Sequence, residues 1–102
     1  MDTRHYVGIV GDAFGGMTAI GRVIRDAWIF GLIPETETCR GWDGAQIERL
    51  YASVSEAWEP YGHLTSRLPP ELRARHARIH DEAMARARTL GWAPDLSDED
   101  EE

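Results

Sequence analysis

The sequence contains no lysine and no asparagine, so all 11 of its basic side chains other than histidine are arginines. A Schiff-base enzyme and a phosphate-binding loop both need a lysine amine, so these two chemistries are excluded. Arginine stays protonated in proteins, which leaves histidine as the one basic side chain able to accept a proton during catalysis. These absences remove several classes of enzyme from consideration.

Cysteine and long apolar runs are also scarce. The single cysteine, Cys39, cannot form a disulfide within the chain, and this usage is typical of a reducing compartment. No apolar run approaches the roughly 20 residues needed to cross a bilayer, and the run from Tyr6 to Val10 is too short for a signal-peptide core. We therefore expect a cytoplasmic protein that does not bind membranes.

The net charge of −7 is unevenly distributed along the 102 residues. Six of the 18 acidic side chains lie in residues 95–102, and the other 94 residues hold 12 acids against 11 arginines. We interpret residues 95–102 as a disordered acidic tail on a nearly neutral body. Neither part carries the basic surface that nucleic-acid binding requires, so no nucleic-acid partner is expected.

Apolar residues recur at helical spacing in three segments. The first predicted helix spans residues 12–32, with Asp12 or Thr18 as its N-cap. Its apolar stripe covers more than half of its surface, and the polar remainder holds Arg22, Arg25 and Asp26. The second spans 43–59 and opens with Asp43 and Gln46 in the capping-box pattern. Its apolar stripe consists of Ile47, Leu50, Tyr51, Val54, Ala57 and Trp58. The third begins at Pro70 and ends near Gly91, with its stripe on Leu72, His76, Ile79, Ala83, Ala87 and Leu90.

These elements predict an all-α fold, a small antiparallel three-helix bundle with short connections. A short extended N-terminal arm over residues 1–11 precedes the helical domain of residues 12–94, and the acidic tail follows. On the third helix, we expect Glu71 to pair with Arg75, and Glu82 to pair with both Arg78 and Arg86. Because the acidic side chains of this series of ion pairs would neutralise the arginines, we interpret this helix face as a solvated surface rather than a basic patch.

The excess apolar surface of the first helix is the main functional signal. We expect Ile29 to point away from the main stripe, and large apolar residues gather near the end of the helix and in the following linker. Exposed clusters of this kind mark partner surfaces, although Trp42 and Trp92 could instead pack over the helix end. The predicted protein-binding residues are Trp28, Phe30, Leu32, Ile33 and Trp42.

The leading hypothesis is thus a non-catalytic accessory or adaptor protein, without a cofactor, that binds another protein or a second copy of itself. One alternative is an acidic inhibitor that mimics nucleic acid through its tail; deleting residues 95–102 would discriminate the two. A second alternative is a metal-binding protein or metal-dependent enzyme using His63, His76 and His80, of which the last two are one helical turn apart.

The glycines near the N-terminus allow two interpretations. The run from Tyr6 to Gly16 superficially resembles the strand, glycine turn and helix of a dinucleotide site. Its glycine spacing is not GxGxxG, and no second strand–helix unit follows. We therefore favour glycines that allow close packing of backbone segments or a flexible entry to the first helix.

Overall fold

The computed structural model describes residues 5–92, which contain three α-helices and no strand. Helix α1 spans Ala19–Ile29, α2 spans Gly44–Trp58 and α3 spans Pro70–Thr89. The predicted all-α helical bundle is confirmed. Residues 1–4 of the predicted arm and all of the predicted acidic tail lie outside the described residues.

The N-terminal segment lies against the linker between α1 and α2. The Tyr6 N–H donates to the Trp42 carbonyl at 2.8 Å, and the Ile9 N–H donates to the Thr38 carbonyl at 3.0 Å. Ile9 is buried in the core, so this contact combines backbone hydrogen bonds with apolar packing. Two 3₁₀ turns follow, at Ile9–Gly11 and Ala13–Gly15.

Helix α1 is shorter at both ends than the predicted span of 12–32. Its N-cap is Thr18, whose hydroxyl accepts from the Gly21 N–H at 3.0 Å. Asp12 instead caps the second 3₁₀ turn, where Phe14 has a φ of 51° that an α-helix cannot contain. The helix starts late because this turn interrupts the apolar pattern that the sequence presents as continuous.

Close backbone packing explains the glycines before and within α1. A Cβ atom at position 21 would overlap the carbonyl group of Gly16. A Cβ at position 16, where φ is 103°, would overlap the side chain of Ile9. This supports the interpretation that these glycines serve close packing.

The start of α2 and both ends of α3 follow the sequence signals. Asp43 and Gln46 form the reciprocal capping box, with N···O distances of 2.8 and 2.9 Å. Pro70 is the first residue of α3. Beyond Leu90, the Gly91 N–H donates to the Arg88 carbonyl and the Trp92 N–H to that of Ala87, which is the Schellman pattern.

Helix α1 is the central element. It packs against both α2 and α3, whereas α2 and α3 make hardly any direct contact with each other. The main core gathers around α1 and α2 and consists of Ile9, Ile24, Ala27, Cys39, Leu50, Val54, Trp58 and Leu68. Ile29, which is predicted to point away from the main apolar stripe, is 2% exposed and lies outside the main core cluster, so packing covers more than one side of α1.

Two further predictions for α3 need correction. Leu90 is 53% exposed rather than part of the buried stripe, because it follows the last helical turn.

The predicted ion pairs on α3 form only in part. Arg75 donates to the Ile29 carbonyl at 2.9 Å and forms no ion pair with Glu71. Arg78 pairs with Glu82 at 3.7 Å, as expected, but also makes two hydrogen bonds to Glu35 in the linker, at 2.8 and 3.1 Å. Glu82 has no ion pair with Arg86.

Candidate functional site

The separation of α2 from α3 leaves a cleft of about 840 Å³, which we call the α2–α3 cleft. This volume lies within the range of roughly 300–1,000 Å³ that binding pockets occupy. Helix α1 contributes Ala19, Ile20, Arg22, Val23, Arg25, Asp26 and Ile29. Helix α2 contributes Ile47, Glu48, Tyr51, Val54, Ser55 and Trp58, and the rest of the lining is His63, Thr65, His76, Ile79 and His80.

The cleft has apolar sides and an exposed rim. Ile20 and Val23 are only partly buried, although they also pack against the core, so part of their apolar surface faces the opening. On α2, Tyr51 is 61% exposed, which contradicts its place in the predicted buried stripe. A large aromatic side chain that stands at the edge of an apolar cleft has the character of a binding hot spot.

Asp26 is the acidic side chain on the α1 side of the cleft. Its Oδ2 accepts a hydrogen bond from Trp58 Nε1 at 3.2 Å. Among residues 5–92 it has no ion-pair partner, although Arg22 and Arg25 lie on the same helix. Burial raises the pKa of Asp26, and the hydrogen bond from Trp58 and the neighbouring positive charges only partly offset this effect.

The three histidines proposed as metal ligands all line the cleft. The rings of His76 and His80 are stacked with centroids 5.9 Å apart, and His63 stacks on Trp58 at 6.4 Å. Within residues 5–92, no group of three or more histidine, cysteine or acidic side chains is placed to hold a metal ion. Burial lowers the pKa of His76, and the nearby charge of Asp26 only partly compensates for this effect.

The five residues predicted to bind a protein do not form one exposed surface. Phe30 packs edge-on against Trp58, with ring centroids 5.1 Å apart, and Trp28 donates to the Glu37 carbonyl at 3.0 Å. Both pack against the core, as do Ile33 and Trp42. Leu32 is the exposed member of the set, at 41%. Four of these side chains are thus engaged in packing within the chain.

Cys39 is fully buried in the linker and has a φ of 64°. Burial, with a smaller contribution from Glu37, raises the pKa of its thiol to about 11. The thiolate that a nucleophile would require is therefore scarce at neutral pH.

The cleft combines residues that the sequence pattern alone did not bring together. Asp26 was counted as part of the polar side of the first helix, and Tyr51 as part of a buried stripe. One signal was available: α1 has more apolar surface than one neighbouring helix can cover, which matches its central place in the fold.

Comparison of the chain with protein-family models, with curated proteins and with solved structures gave no match. Within the described part of the chain, no helix is both long enough and apolar enough to span a membrane.

Proposed function

We propose that this protein is a small cytoplasmic, non-catalytic accessory protein that binds an amphipathic helix of another protein in the α2–α3 cleft. The observation that carries the proposal is the separation of α2 and α3 over α1, which leaves one opening lined by all three helices, with apolar surface of Ile20, Val23 and Tyr51 accessible in it. A fourth helix laid there would complete a bundle, and helix-in-groove binding is a common mode of recognition.

The dimensions of the cleft suit a short helix. Its lining residues on α2 run from Ile47 to Trp58, a distance of about 16 Å at a rise of 1.5 Å per residue. Three turns of a partner helix span the same length and offer apolar anchors at i, i+3 or i+4, and i+7. Tyr51 on α2, together with Ile20 and Val23 on α1, would contact such anchors.

A second copy of this chain is a poorer occupant than a different protein. The outward residues of α3 are mostly charged or alanine, and the exposed large apolar residues outside the cleft lie mainly in turns and loops. Those residues are Val7, Val10, Phe14, Leu32, Leu64 and Leu90. Within residues 5–92, no helix therefore presents an apolar stripe that a neighbouring molecule's cleft could accept.

The test is selection from a displayed library of 18-residue helices. Each member keeps a polar face of alanine, glutamine and glutamate, and the positions of the opposite face are randomised. We expect the wild-type protein to enrich helices with apolar anchors at three- and four-residue spacing. Failure to enrich any helix would contradict the proposed function.

Two matched variants on α2 locate the binding surface. Tyr51→Glu places a charge in the cleft, and Ser53→Glu places the same charge on an exposed position of the same helix outside the cleft. We expect Tyr51→Glu to weaken selected peptides at least about ten-fold and Ser53→Glu to leave them unchanged. Equal effects would contradict binding in the cleft, as would a wild-type dimer in sedimentation equilibrium that Tyr51→Glu dissociates.

A further inference from the structure

The Asp26 carboxylate forms no ion pair within residues 5–92, although Arg22, His76 and Arg25 are close enough for their charges to act on it. Trp58 Nε1 is the hydrogen-bond donor to it among residues 5–92, and it engages one of the two carboxylate oxygens. Ionised carboxylates that leave water usually gain several donors or a cation, because the loss of hydration is costly otherwise. Asp26 therefore has acceptor capacity that the free protein does not use.

The cations near Asp26 are engaged elsewhere or lie apart from it. Arg25 Nη1 donates to the Gly16 carbonyl at 2.7 Å, and Arg75 Nη1 donates to the Ile29 carbonyl. Arg22 is exposed and makes no ion pair with another residue of the described range. His76 lines the same cleft, where burial lowers the pKa of its ring and disfavours the charged form, and it makes no ion pair with Asp26.

From this arrangement we infer that the partner helix carries an arginine or lysine on its apolar face, which enters the cleft and pairs with the Asp26 carboxylate. This inference rests on the proposed function. It adds a chemical requirement for the partner: a helix with apolar anchors and one basic residue among them. Arginine suits the site better than lysine, since its planar group can donate two parallel hydrogen bonds to a carboxylate.

The same pairing accounts for a carboxylate in a place that does not favour its charge. Burial raises the pKa of Asp26, so folding of the free protein disfavours its ionised form. A cation on the partner helix would stabilise the ionised carboxylate of Asp26, which burial disfavours. Residues that serve binding often lower the stability of the unbound protein in this way.

The experiment repeats the helix selection against the wild type, Asp26→Asn and Glu56→Gln. Asparagine keeps the shape of the side chain and an oxygen that can accept from Trp58. Glu56 is the matched control, because it is an exposed carboxylate on α2 that lies outside the lining of the cleft. We expect a basic residue at one fixed position of the apolar face with the wild type and with Glu56→Gln, and its loss with Asp26→Asn.

Selected peptides then measure the pairing directly. Replacing the basic residue by citrulline, which has the shape of arginine without its charge, should weaken binding to the wild type by about 10- to 100-fold. The same replacement should have little effect on binding to Asp26→Asn, and thermal unfolding should show that this variant remains folded. The double-mutant cycle isolates the pair from the rest of the interface.

The outcomes separate this inference from the proposed function. Helices that bind in a Tyr51-dependent way but carry no selected basic residue would overturn the role of Asp26 and leave the cleft as a helix-binding site. Equal losses for Asp26→Asn and Glu56→Gln would also overturn it, since they would indicate long-range attraction rather than a specific pair. No enriched helix at all would overturn both.

Discussion

Asp12 joins three parts of the N-terminal region through its two carboxylate oxygens. Tyr6 and Thr18 donate to Oδ2 at 2.6 and 2.5 Å, and the Ala13 N–H donates to Oδ1 at 2.7 Å. Burial acts to raise the pKa of Asp12, but these hydrogen bonds outweigh it and the pKa lies below 3.8. Burial and the bond to Asp12 also raise the pKa of Tyr6. At the residue scale, one ionised side chain holds the N-terminal segment against the start of α1.

The first prediction follows from this lowered pKa. A carboxyl group with a lower pKa in the folded state stabilises the fold above its unfolded pKa of 3.8, and the contribution is lost as the pH falls through the folded value. Asp12→Asn should therefore lower the free energy of unfolding at pH 7, and its difference from wild type should shrink below pH 3.8. Urea denaturation at pH 7, 4 and 3 measures both effects.

Asp81→Asn is the control, because it removes an exposed carboxylate that makes no hydrogen bond or ion pair with the described residues. It should change stability by less than about 0.5 kcal/mol. An Asp12→Asn difference that stays constant across this pH range would show that the carboxylate charge is not what these hydrogen bonds depend on.

A second residue-scale prediction concerns Gly21, where helix propensity and packing oppose each other. Alanine favours a helix interior by about 1 kcal/mol over glycine, but the added Cβ would overlap the Gly16 carbonyl. We expect packing to dominate, with Gly21→Ala lowering the free energy of unfolding by about 1–3 kcal/mol. Gly44→Ala on α2, where a Cβ meets open space, should be neutral or slightly stabilising in the same thermal unfolding assay.

At the scale of the element, the beginning of each helix depends on its cap. The capping box at α2 satisfies two backbone N–H groups that otherwise lack partners. Asp43→Ala should therefore cost about 0.5–2 kcal/mol of stability, measured by urea denaturation. Gln46→Ala should cost less, because it removes only the return bond to the Asp43 N–H. Equal stability of Asp43→Ala and wild type would contradict a contribution from this cap.

The observed bounds of the three helices show which structural features could be predicted from the sequence pattern. The bounds of α2 and α3 were predicted within one or two residues, because their capping box, proline and glycine signals act locally. The late start of α1 was not predicted, because the turn before it depends on Gly16 meeting Ile9 and on Phe14 adopting a left-handed conformation. Neither the contact between Gly16 and Ile9 nor the conformation of Phe14 is marked by a local sequence signal. The predicted series of ion pairs was only partly right, since Arg75 and Arg78 reach residues far away in the chain.

At the scale of the whole molecule, the site arises from the arrangement of helices rather than from a motif. Asp26, Tyr51 and Ile79 belong to three separate helices, and only the separation of α2 from α3 places them around one opening. The predicted binding residues were chosen because they are large and apolar, but size and apolarity do not distinguish core from surface. In the structure, Phe30 packs on Trp58, and Ile33 and Trp42 pack against the core, so these side chains are engaged within the chain.

The division into core and cleft leads to a final prediction. Ile24 is a fully buried member of the core cluster, so Ile24→Ala should lower the free energy of unfolding by about 2–5 kcal/mol. Tyr51 stands at the cleft with most of its surface in water, so Tyr51→Ala should change stability by less than about 1 kcal/mol. Urea denaturation of both variants compares them directly.

If α2 and α3 closed over α1 in solution, Tyr51 would be buried and its replacement would cost nearly as much as that of Ile24. A small cost for Tyr51→Ala, together with loss of binding to selected helices, would instead assign its side chain to recognition. Because Tyr51 is 61% exposed at the open cleft, a partner helix of the proposed kind would enter without first unfolding a packed interface, and its apolar contacts would contribute to affinity.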